Sequence, residues 1–172
     1  MNTRILLLLI LSVAFSSCSS VYYISDHMNI DSDKIYKTYM TEDHCDKSIT
    51  PIQAQRIKNA VDLNMRSLGY VETETADILV QYFVKNTTKE YVQECENDYD
   101  RWTGGETCRE MVITYEEGSI IIDLIDTDNN TIIWHGAARG PSFNAMRKPD
   151  KDINQMVGKL LEFYVEGESN LN

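Results

Sequence analysis

Tyr115-Glu116-Glu117-Gly118-Ser119-Ile120-Ile121-Ile122-Asp123-Leu124-Ile125-Asp126, followed after a turn by Thr131-Ile132-Ile133-Trp134-His135-Gly136-Ala137-Ala138-Arg139, decides the fold. Both stretches are rich in β-branched and aromatic residues, which suit a pleated, half-buried surface. Asp126-Thr127-Asp128-Asn129-Asn130 joins them with side chains that bond their own backbone and tolerate positive φ. Two strands and a tight turn make a hairpin, and Gly140-Pro141 ends its second strand. Met111 to Tyr115 supplies strand material before it, and Glu116-Glu117-Gly118 marks a kink or bulge between the two parts.

Outward from the hairpin, Ile78, Val80, Tyr82 and Val84 alternate along Ala76 to Val84 and predict a further strand, which continues past Asn86-Thr87-Thr88 towards Val92. Before it, Thr50 is a good N-cap, Pro51 fits the first helical position and Gln53 completes a capping box. Ala54, Ile57, Ala60, Val61, Met65 and Leu68 share one helical face, and Gly69 suits a left-handed cap, so a helix is predicted over 51–68. Lys34 to Met40 alternates as a first strand, with Thr41 to Ser48 as a charged loop. Ile153, Met156, Val157, Leu160, Leu161 and Tyr164 mark a second amphipathic helix. The order β-α-β-β-β-α has two helices with one apolar face each and one sheet to cover. It predicts an α+β two-layer sandwich, a mostly antiparallel sheet with both helices on one face, and a right-handed first crossover.

The N-terminus carries a different message. Arg4, the apolar run Ile5 to Phe15 and the small residues Ser16 and Ser17 form a secretory signal peptide. The run is too short to cross a hydrocarbon core of roughly 30 Å, which takes about 20 helical residues. Phe15-Ser16-Ser17-Cys18 looks like a bacterial lipobox, in which the cysteine thiol takes a diacylglycerol, the chain is cut before it, and the new amine is acylated, as by palmitate. One acyl chain holds a protein only reversibly, whereas two or more make a stable anchor. Ser19, rather than Asp, after the cysteine favours outer-membrane sorting. The chain therefore divides into a signal peptide (1–17), a lipidated N-terminus and tether becoming an ordered edge (18–33), one α+β domain (34–167) and a tail (168–172).

The chain has 16 Lys and Arg against 27 Asp and Glu, a net charge of −11, and losing Arg4 with the signal makes it more negative. Such a balance is expected to repel nucleic acid and anionic lipid headgroups alike, and no basic cluster offsets it. Cys95 and Cys108 bracket a polar, Gly-containing segment, and an oxidising compartment allows them to close it as a disulfide, a closure contributing roughly 3 kcal/mol in the chain-entropy model. Cys45 is then the odd cysteine, either buried and inert or paired with a partner.

The hairpin quoted first, with Asp33-Lys34-Ile35-Tyr36-Lys37-Thr38-Tyr39, Ala76-Asp77-Ile78-Leu79-Val80-Gln81-Tyr82, the lipobox cysteine and both helices, resembles the bacterial lipoprotein family named domain of unknown function 4136. The similarity spans nearly the whole mature chain. It implies an envelope location and the two-layer fold, and it brings no activity and no catalytic residues. His135 stands where a shorter or more basic side chain is familiar, and 94–108 is acidic where relatives are rich in Gly and aromatics.

Asp123, Asp126 and Asp128 do not match a calcium loop, and along a strand Asp123 and Asp126 face opposite ways; turn capping is the expectation. Glu42-Asp43-His44-Cys45-Asp46 holds zinc-type donors, but zinc needs two more ligands, from His27, Cys95 or Cys108. No Gly-x-Ser-x-Gly elbow accompanies the three histidines, and Gly104-Gly105 lacks the rest of a phosphate loop. Trp134 reads as a core anchor, while Tyr99, Arg101 and Trp102 have the composition of an interaction loop. The expectation is a non-enzymatic envelope lipoprotein without cofactor or metal. Its anchor is the lipid on Cys18, and its partner is a protein or glycan of the envelope. A small-ligand or metal-binding periplasmic carrier is the alternative.

Overall fold

The structure is a computed structural model that describes residues 21–27, 34–93 and 111–171. Its elements are β1 (Tyr22–His27), β2 (Thr38–Cys45), α1 (Pro51–Ser67), β3 (Val71–Glu72), β4 (Ile78–Gln93), β5 (Met111–Asp126), β6 (Thr131–Pro141) and α2 (Pro149–Leu171). The strands form one sheet in the order β1-β6-β5-β4-β2-β3. β1, β6, β5 and β4 pair antiparallel in turn, while β2 runs parallel to both β4 and β3, so the sheet is mixed. The expected α+β two-layer sandwich is what forms.

Local chemistry explains α1. Thr50 accepts from the Gln53 amide while the Gln53 side chain accepts from the Thr50 N–H at 2.8 Å, so the capping box is closed at both ends. At the C-terminus Gly69 adopts φ 93°, its N–H bonds Arg66 O and the Tyr70 N–H bonds Met65 O, a Schellman motif that uses the orphan carbonyls. Ile57, Val61 and Met65 are fully buried against Ile78, Val80, Tyr82 and Val84 of β4 and Ile120, Ile122 and Leu124 of β5. Ile153, Val157, Leu160 and Tyr164 bring α2 into the same core. Among the described residues, no helix covers the opposite sheet face.

Four sequence expectations change. The first strand begins at Thr38, not Lys34, and runs through the supposed loop to Cys45, because parallel pairing from Tyr39↔Ile78 to Cys45↔Val84 supplies the ladder that Glu42 and Asp43 do not favour by propensity. β5 passes through Glu116-Glu117-Gly118 without a break, each residue opposite a residue of β4. The bulge lies instead in β6, where the register steps from Leu124↔Trp134 to Ile125↔Ile132 and leaves Ile133 unpaired. That extra residue turns both Ile133 and Trp134 towards the core, at 3% and 0% exposure. The two-residue β3 extends the sheet edge beyond the elements expected. Tyr22–His27, within the stretch read as tether and then ordered edge, is a full edge strand on β6.

Glycines fit close approaches. A Cβ on Gly118 would lie 2.9 Å from Pro141 O and 3.0 Å from the Phe143 ring, so Gly118 admits the chain after β6. A Cβ on Gly158 would sit 2.8 Å from Asn64 Oδ1, so α1 and α2 meet where a side chain is missing.

Candidate functional site

Cross-strand pairing sorts the uncovered sheet face into rows. One row runs Ile24, Ala137, Ile121, Phe83 and His44, with the His44 ring stacked on Phe83 at 4.8 Å. The next runs Asp26, His135, Asp123, Gln81 and Glu42. Here His135 Nδ1 and Asp123 Oδ1 are 2.5 Å apart and Gln81 Nε2 lies 3.0 Å from His44 Nε2. An imidazole oriented by a carboxylate on an open sheet can hydrogen-bond a polar ligand. His44 shares the uncovered face, whereas Cys45 points to the helix side, where burial and then the charge of Asp43 raise its thiol pKa. Neighbours on opposite faces cannot ligate one metal. His27 is elsewhere again, its Nε2 3.1 Å from Tyr164 O. Among the described residues, no three His, Cys, Asp or Glu side chains come together as a metal cluster.

The Asp126 region is structural. Asp126, 2% exposed, accepts from Lys34 Nζ at 2.6 and 2.7 Å, from Tyr36 Oη at 3.0 Å and from the Asp128 N–H at 2.9 Å. The turn capping is as expected, and Asn129 Oδ1 also accepts from the Thr131 N–H. The Lys34 partnership lay beyond the sequence reading, since it spans 92 positions. Core-side parity with Ile122 and Leu124 was the available hint that Asp126 is buried and needs a cation. Burial alone would raise its pKa, but Lys34, the Asp128 N–H and Tyr36 outweigh it and hold the carboxyl below the usual range. A depressed folded pKa contributes stability above the unfolded value of about 3.9, and this is lost as pH falls through the folded value. Asp77 is lowered too, chiefly by the Lys37 N–H. The melting temperature should therefore fall on acidification below about pH 4, and Asp126→Asn should flatten that fall; an identical acid profile in the variant would remove this account.

A groove of about 1030 Å³ opens between β1, the segment 141–147 and α2, lined in part by Val21, Tyr23, Met146, Arg147, Met156 and Lys159. Lys159 Nζ stands 6.0 Å above the Tyr23 ring. A third feature is the outer half of the β4–β5 ribbon. β2 follows β4 only to Val84 and β6 follows β5 only to Glu117, so the rungs from Thr88↔Glu116 outward have no neighbouring strand among the described residues. Tyr91, Val92, Val112 and Tyr115 are at least half exposed there, and Ile113 is 40% exposed. Cys18, Cys95, Cys108, Tyr99, Arg101 and Trp102 lie outside the described residues.

These features define an α+β domain with one bare sheet face and a projecting two-stranded arm. No helix among the described residues is long and apolar enough to cross a membrane. The chain belongs to the family called Domain of unknown function (DUF4136), whose model matches residues 25–164. No curated protein matches it in sequence. Among solved structures it is similar to the PelC dodecamer from Paraburkholderia phytofirmans, at 12% identity and TM-score 0.52 over 83% of this chain and 96% of that one. It also matches Lipoprotein GNA1162 from Neisseria meningitidis at 12% identity and TM-score 0.41, covering 78% and 99% of the two chains. At such identities the PelC likeness is one of fold.

Proposed function

We infer that this protein is a lipid-anchored envelope lipoprotein whose domain is a non-catalytic interaction or structural module. The observation that carries the reading is the lipobox-like Phe15-Ser16-Ser17-Cys18, which ends two residues short of the described domain at Val21. A diacylglycerol on that thiol, with acylation of the new amine, supplies enough buried methylenes for a stable anchor at roughly 0.8 kcal/mol each. Ser19 favours the outer membrane. The bare sheet face and the arm are surfaces suited to a protein or glycan of the envelope, and the likeness to a PelC dodecamer supports including further copies of this chain among the partners.

Mass spectrometry of the native N-terminus tests the anchor. A lipid-modified Cys18 is expected, and Cys18→Ser should release the protein from membranes without detergent. An unmodified start, or membrane association that persists in Cys18→Ser, overturns the reading.

The groove favours a second reading, a periplasmic carrier of a small amphiphile or metal, because a partly apolar concavity with a few polar groups is what ligand sites share. Native protein should then carry a co-purifying organic molecule or stoichiometric metal, and its absence by native mass spectrometry and metal analysis removes the carrier.

A further inference from the structure

We propose that the uncovered sheet face at its Val21 end, continued along the β4–β5 arm, lies on a phospholipid headgroup surface. The proposal rests on the Cys18 anchor and adds how the domain sits upon it. Its starting point is strand register. Tyr22, Arg139, Ser119 and Lys85 form one row across the sheet. Val21 lies one step further out, where a Cβ on Gly140 would be 3.2 Å from its Cγ2. Gly140 pairs with Gly118 and Gly118 with Asn86, so Val21 is level with the base of the arm.

The Val21 end of β1 is at the end of the sheet from which the arm extends, because β1 is antiparallel to β6, β6 to β5 and β5 to β4. The stretch from Val21 back to Cys18 reaches about 10 Å at full extension. The arm runs from Thr88↔Glu116 to Gln93↔Met111, about 17 Å at the usual rise per residue. An anchor so close to Val21 keeps the base of the arm within reach of the membrane surface.

The side chains say which face lies down. On β4 and β5 the odd-numbered residues of the arm continue the uncovered face and the even-numbered ones the helix side. Tyr91 pairs with Ile113 and Lys89 with Tyr115 on the uncovered face, while Glu90 and Glu116 occupy the other. Inward along the same face stand Lys85 and Arg139, beside Tyr22 at 64% exposure. Three cations and three exposed tyrosines stand against two anions, Glu117 and Asp46, the latter within electrostatic reach of Lys85, a local reversal in a chain of net charge −11. Tyrosine rings settle at headgroup level and Lys and Arg meet phosphates. Residues 94–110 hold six Asp and Glu against two Arg. That charge in the segment joining β4 to β5 disfavours its entry into hydrocarbon, so the arm lies on its side.

The test places the lipid-modified full chain, carrying Trp102→Phe and Tyr91→Trp, in vesicles of phosphatidylcholine and phosphatidylglycerol. Half of the samples have bromine on the acyl carbons nearest the headgroup. Trp134 is fully buried and provides a constant background. The Tyr91→Trp emission should be mostly lost to bromine, and adding Lys85→Glu, Lys89→Glu and Arg139→Glu, all at exposed positions, should restore it. Unquenched emission from a chain whose Cys18 is lipid-modified overturns the proposal and leaves the anchor standing. Unquenched emission with concentration-dependent dimers gives the surface to a second copy instead. Quenching that survives the charge reversals overturns the assignment to headgroups. An unmodified Cys18 overturns the anchor and this proposal together.

Discussion

Trp134→Ala is expected to destabilise the fold by about 3–5 kcal/mol, the usual range for truncating a buried large aromatic. Trp134 is fully buried and packs edge-on to Tyr164 at 5.9 Å and to His27 at 6.4 Å, so it joins β6 to both α2 and β1. Truncation opens a cavity at the meeting of three elements, none of which can collapse without moving a neighbour. Its Nε1 is buried without a hydrogen-bond partner among the described residues, so part of its packing gain offsets a desolvated donor that would cost about 1–3 kcal/mol. Trp134→Phe, which removes that donor and keeps much of the ring, should therefore cost less than Trp134→Ala. Denaturant titration of the three proteins checks this, and a near-neutral alanine variant would show that Trp134 is not the anchor.

Gly136→Ala should destabilise by about 1–3 kcal/mol through overpacking. Two residues beyond Trp134 on the same face, a Cβ at position 136 would meet Trp134 Cη2 at 2.2 Å, Cζ2 at 2.5 Å and Leu160 Cδ1 at 3.0 Å. The indole lies along β6 over the bare glycine. Ordinary strand propensity gives the opposite sign, since glycine in a strand interior costs roughly 0.5–1 kcal/mol relative to alanine. The two effects separate in a double-mutant cycle. In a Trp134→Ala background the clash partner is gone and Gly136→Ala should become neutral or stabilising. Additive losses would mean that the indole does not occupy the glycine's space.

Much of this architecture was legible because the signals are local. Thr50, Pro51, Gln53 and Gly69 bracket α1 through bonds made within four residues, and both ends form as read. Alternation in Ile78–Val84 and Ile120–Leu124 named the core face correctly, since strand parity is a property of the chain itself. Glu42-Asp43-His44-Cys45 was misread because its strand is imposed by β4, a neighbour that composition does not show. The bulge was expected at a glycine; it occurs at Ile133, where turning both Ile133 and Trp134 inward buries more apolar surface than regular pairing would.

The candidate surfaces divide the same way. The cysteine at position 18 and the short apolar run before it are one-dimensional signals, so the anchor expectation comes from the sequence alone. It also determined the helix caps, the hairpin turn and the two-layer fold class. The pairing of Lys34 with Asp126, the glycine cleared for Trp134, and the alignment of Val21 with the base of the arm were decided only by the tertiary structure. Each depends on register between strands far apart in the chain. Register follows from burying one common face, a collective property of the folded sheet that no short stretch contains.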